Sequence, residues 1–106
     1  MLLRIVRMEF KEPHTKEFLA LFKKAAPVIS SFEGCLKVNV FRDAEQINVV
    51  YTNSHWQSVE DLEKYRNSIF FQTTWEKAKK LFSGKPIAYS LVTVKEITDE
   101  LMNTTP

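Results

Sequence analysis

Positions 46–55 alternate well enough to mark a strand. Ile47, Val49, Tyr51, Asn53 and His55 share one face, with Asn48, Val50, Thr52 and Ser54 on the other. A different period precedes it: Phe18, Leu21, Phe22, Ala25, Ile29 and Phe32 recur at helical spacing and predict one long buried stripe. Thr15 is its expected N-cap, Glu17 sits well in the first turn, and Gly34 is the natural stop. Pro27 lies inside the stripe and cannot donate to the carbonyl of Lys23, which predicts a kink or break between those residues. Ser58 and Asp61 have capping-box spacing and open a second helical region. That region should bend at Asn67-Ser68, where helix propensity falls. Beyond the bend, Phe71, Trp75, Ala78 and Phe82 mark a second stripe.

Leu2 to Phe10, Cys35 to Arg42 and Ile87 to Ile97 read as the remaining strands, and Asp43-Ala44-Glu45 as a short type I hairpin turn. The order β-α-β-β-α-β predicts an α+β, ferredoxin-like fold: a four-stranded antiparallel sheet with helices on one face. Both sheet faces are rich in apolar side chains, so the second must also be covered, and another copy of the chain is the economical cover. Residues 1–98 are expected to form a single domain and 99–106 a polar C-terminal tail.

Composition narrows the function classes. The chain has 106 residues, 44% of them hydrophobic and 26% charged, as in an ordinary globular domain. Apolar runs fall far short of a membrane span, and Met1-Leu2-Leu3-Arg4 is interrupted too soon for a signal peptide. Cys35 is alone, which excludes an internal disulfide and suggests a cytoplasmic setting. A net charge of +2 gives no reason to expect a nucleic-acid partner. With only Gly34 and Gly84, the chain has no dinucleotide fingerprint, no P-loop and no G-x-S-x-G turn. His14, His55 and Cys35 lack ligand-like spacing, so no metal site is expected.

From Asn53 to Leu62 a strand ends in His55-Trp56 and passes into the Ser58-capped helix. In this the chain resembles the antibiotic-biosynthesis monooxygenase family of dimeric α/β barrels, including its quinol monooxygenase subgroup. The resemblance implies a homodimer with sheets packed face to face. It also implies cofactor-independent oxygenation of a small aromatic or quinol-like molecule by dioxygen, an oxidoreductase activity using neither metal nor flavin. Such chemistry needs a closed apolar cavity, an acceptor for the hydroxyl proton, and donors that stabilise the anion.

His55 is the candidate catalytic base, since histidine can accept a proton near neutral pH. The plainer reading makes it a strand-end cap or a rim residue. Asn39, Asn53, Tyr65 and Arg66 are candidate orienting groups, and Phe22, Phe70, Trp75 and Tyr89 candidate cavity wall. Aromatics at helical spacing are more often plain core, and alternation alone leaves open which sheet face meets the helices. Relatives carry Ser-Pro-His-Phe where this chain has Ser68-Ile69-Phe70-Phe71, and Phe70 cannot move a proton. The asparagine, tryptophan and histidine set of haem-degrading relatives is missing. A competing reading from another class is a non-catalytic dimeric module that binds a small hydrophobic ligand. A third is proton transfer such as isomerisation in the same pocket.

Overall fold

A computed structural model describes residues 1–94. Strand β1 (Leu2–Glu9) leads through a 3-10 turn (Glu12–His14) into helix α1 (Thr15–Ser30). Strands β2 (Cys35–Arg42) and β3 (Val49–Trp56) follow, then helices α2 (Val59–Arg66) and α3 (Ile69–Lys79) and strand β4 (Ile87–Val92). The strands form one antiparallel sheet in the order β2-β3-β1-β4, as expected of the ferredoxin-like arrangement. Strand β4 ends at Val92, short of the expected Ile97, with Thr93 and Val94 outside it; residues 95–97 of that expectation and the tail 99–106 lie outside the described residues.

Several local expectations are corrected. Thr15 is the first helical residue, not the cap; the chain enters α1 through His14, already in helical conformation, and the buried Thr15 hydroxyl has no partner. Helix α1 runs unbroken through Pro27. Pro27 and Lys23 are both exposed, so the carbonyl deprived of its donor faces water and the helix need not break. The β2–β3 connection is longer than a three-residue turn, because β3 starts only at Val49. Asp43 Oδ1 accepts the backbone N–H groups of Glu45 and Gln46, each at 2.9 Å, and these bonds, Gln46's first, lower its carboxyl pKa.

The bend at Asn67-Ser68 is present, and Ser68 makes it. Its hydroxyl donates to the carbonyl of Tyr65 (2.6 Å) while accepting from the N–H of Phe71 (3.1 Å), ending α2 and capping α3 with one side chain. At the other end of α2, Ser58 Oγ accepts from Asp61 N (3.1 Å) and donates to Asp61 Oδ2 (2.9 Å). The acid thus reaches back to the hydroxyl. Gly34 lies beside it with φ 81°, and a Cβ there would overlap the Asp61 carboxylate. Only glycine suits both demands.

Register settles which face is which. Leu2, Arg4, Val6 and Met8 of β1 stand with Trp56, Ser54, Thr52 and Val50 of β3 on the helix side. Leu3, Ile5 and Arg7 stand with His55, Asn53 and Tyr51 on the outer side. In β2 the pairing shifts between Cys35 and Lys37, leaving Leu36 as the extra residue of a bulge. Cys35 therefore packs toward the helices, while Lys37, Asn39 and Phe41 face outward; simple alternation puts all four together.

The core is in two parts. Leu2, Ala25, Ile29, Trp56, Leu62 and Tyr65 cluster at one end of the sheet, and Met8, Phe10, Phe18, Val50, Ala78 and Leu81 at the other. Between them the helix side of the sheet carries smaller or polar residues: Thr52, Ser54, Arg4, Ala88 and Ser90. Apart from Arg4, these side chains are too small to meet the helices, and a hollow remains.

Candidate functional site

The hollow has a volume of about 320 Å³ and lies between the middle of the sheet and all three helices. Phe22 and Ile29 of α1, Leu62 and Tyr65 of α2, and Phe71 and Trp75 of α3 contribute to its wall. The two serine caps set these positions: Ser58 fixes where α2 starts, and Ser68 fixes the turn between Tyr65 and Phe71. Strand β4 is exposed along its whole length, so the hollow opens on that side, past Ala88 and Pro86.

Aromatic packing holds the α2 side. Tyr65 stacks on the fully buried Trp56, ring centroids 5.2 Å apart, and meets Phe32 and Phe71 edge-on. Trp56 Nε1 donates to Ser54 Oγ at 2.8 Å, so the indole is satisfied from within the site. Burial, with a smaller effect of nearby Cys35, pushes the Tyr65 phenol above its ordinary pKa. Tyr65 is therefore a neutral hydrogen-bonding group and no base at neutral pH. Burial likewise raises the Cys35 thiol, against a lowering by the backbone N–H of Lys37.

Of the residues singled out from sequence, Phe22, Asn53, Tyr65, Arg66 and Trp75 border the hollow. Asn53 does so from a register position on the outer side, so the main chain between Thr52 and Ser54 is what meets it. His55, Asn39, Tyr89 and Phe70 do not border it. His55 and Tyr89 belong to the outer face, as does Asn39, which borders a shallow groove between α1 and β2. Phe70 packs on Phe32 at 6.1 Å, beside the core. Sequence reasoning missed most of the apolar wall and all of its other polar members, Arg4, Thr52, Ser54 and Thr74. A signal for them existed, because Ala88 and Ser90 are small between large Ile87, Tyr89 and Leu91, marking where the helix side is hollow.

A four-stranded antiparallel sheet with helices on one face places the chain among α+β proteins of the ferredoxin-like fold. The model of one family within it, antibiotic biosynthesis monooxygenase, matches residues 1–77, and the chain belongs to that family. Solved structures agree on the fold. A Deinococcus radiodurans protein carrying the same family name superposes with TM-score 0.85 at 15% identity, covering 92% of this chain and 97% of that one. A Mycobacterium tuberculosis protein gives TM-score 0.83 at 14% identity, covering 92% and 98%. A Bordetella bronchiseptica protein, again with the family name, gives 0.79 at 20% identity, covering 89% and 97%. At such identities the likeness is one of fold. A comparison with curated proteins gives no significant match.

Proposed function

We propose that this protein is a cofactor-independent monooxygenase acting on a small aromatic or quinol-like molecule in the hollow between sheet and helices. The observation that carries the reading is the split core: an apolar cavity of about 320 Å³, walled by aromatic side chains, in a chain of this family. That volume suits a small aromatic ligand. In the reaction, a deprotonated phenol or quinol gives one electron to dioxygen, and the resulting radical pair joins at a ring carbon as a hydroperoxide. Loss of water leaves a carbonyl. One oxygen atom enters the product, the other leaves as water, and the substrate supplies every electron.

The protein's share is to exclude bulk water, hold the ring and stabilise the anion. Phe22 and Trp75 hold the ring, while Tyr65 and Arg66 orient its oxygen. His55 points away from this hollow and would not reach a substrate there. Two copies are read as meeting across their outer faces, where Phe41, Ile87, Tyr89 and Leu91 are all exposed. No described helix is long and apolar enough to cross a membrane. The lone Cys35 fits a reducing cytoplasm.

Oxygen uptake with quinols, dihydroxyphenols and polycyclic phenols tests the reading, with isotopically labelled dioxygen expected to leave one atom in the product. Absence of uptake across the panel, with those compounds still binding, would replace it by the non-catalytic binding module.

A further inference from the structure

The described wall of the hollow carries charge of one sign. Arg4, in the middle of β1, and Arg66, at the end of α2, both line it, and no described aspartate, glutamate, lysine or histidine does. Both guanidinium groups are lightly engaged. Arg4 Nη1 donates to Ser90 Oγ at 2.8 Å, and Arg66 Nη1 to Glu63 Oε1 at 3.1 Å. Arg66 Nε is buried and has no partner. A guanidinium offers five N–H donors in a planar fork, so most of the donors here have no acceptor among the described residues and are free to meet a ligand.

The two arginines also lie close enough to disfavour each other. Burial first, and the Arg66 charge second, hold the Arg4 pKa below its ordinary value, with Glu63 opposing. Glu63 answers one positive charge and leaves the other unanswered. A bound anion would relieve the repulsion between the two guanidinium groups.

We propose that Arg4 and Arg66 together seat a negatively charged oxygen group, so that the hollow selects aromatic oxyanions, carboxylates or phenolates, over neutral ligands of the same shape. This rests on the reading of the hollow as the substrate site. The aromatic body lies against Phe22, Phe71 and Trp75, and the oxygens meet the forked donors next to β4. For a phenol, the same two charges favour the ionised form. The ligand then enters already deprotonated, its proton left to solvent, and the wall needs no basic side chain of its own.

Binding measured apart from turnover tests this. Calorimetry and tryptophan fluorescence would compare 2-naphthoate with neutral 2-naphthamide, and absorbance would follow the ionisation of a bound nitrophenol. Naphthoate is expected to bind at least about tenfold more tightly, as one charge-assisted contact provides. That margin should shrink in high salt and be largely lost in Arg66→Gln and in Arg4→Gln, with Arg66→Lys retaining part of it. A preference for naphthoate alone assigns the seat to carboxylates; a lowered pKa of the bound nitrophenol alone assigns it to phenolates. Thermal melts confirm that the variants fold, and Arg66, at a helix end, is the safer position. Equal binding of acid and amide with an unshifted nitrophenol overturns the proposal, as does failure of both to bind, or a preference that survives both substitutions. Oxyanion selectivity without oxygen uptake would refute the oxygenase reading alone, and uptake without selectivity would refute the seat alone.

Discussion

Replacing Gly34 by alanine tests how tightly the entry to α2 is built. At φ 81° a residue with a Cβ pays about 1–2 kcal/mol. The loss of unfolded-chain entropy returns roughly 0.4–1 kcal/mol of that. The new methyl group would overlap the Asp61 carboxylate, and it lies 2.6 Å from Asp61 Cβ, so turning the side chain away is not enough. Displacing Asp61 costs Ser58 its acceptor at 2.9 Å, about 1 kcal/mol, and weakens the acid's interaction with the α2 N-terminus by about 0.5 kcal/mol. The total is about 2 kcal/mol, which for a domain of this size lowers Tm by about 8–16 °C. Urea and thermal unfolding of four proteins would measure it: native, Gly34→Ala, Asp61→Gly and the double variant. In the Asp61→Gly background the same alanine should cost about 1.5 kcal/mol less, because only the backbone strain remains. Equal cost in both backgrounds, or a loss below about 0.5 kcal/mol in the native one, would refute the argument.

His55→Ala should leave oxygen uptake within about twofold, since a side chain outside the hollow adds nothing to transition-state binding there; a large loss in initial-rate assays would return His55 to the site. Above the ordinary tyrosine pKa of 10.0 the unfolded state loses a proton that folded Tyr65 keeps. Stability should therefore fall with rising pH by about 1.4 kcal/mol per unit from this residue, a slope that Tyr65→Phe removes when urea midpoints are compared. Tyr89→Glu places a charge on the outer sheet face. If copies pair there, sedimentation should show dimer dissociation raised by about two orders of magnitude, with the monomer's circular dichroism unchanged.

Element order was legible because each signal was local. Helical spacing gave α1, the Ser58 and Ser68 positions gave the two starts of the second helical region, and alternation gave β3. Sidedness was not, because it depends on non-local packing. His55, Asn39 and Tyr89 are as plausible on one face as the other until the sheet meets its helices. The bulge at Leu36 shows why even a correct strand can mislead, since one extra residue reverses the sense of everything before it. Pro27 produces no break, because it sits in the last turn of a helix whose other residues are anchored by a buried stripe, and Lys23, which loses its donor, is exposed. Arg4 went unnoticed because an arginine in an otherwise apolar strand reads as an edge or solvent residue, as its neighbour Arg7 does.

The divided core separates what keeps this chain folded from what it can accommodate. Most of the close packing sits at two poles, around Trp56 and around Phe10, while the equator is lined by serine, threonine and alanine. Substitutions along that waist remove few apolar contacts; Ser54 is the exception, since its hydroxyl satisfies the buried Trp56 indole. If the hollow holds a ligand, as proposed, most of its lining on the sheet can change while the two packed poles keep the frame in place.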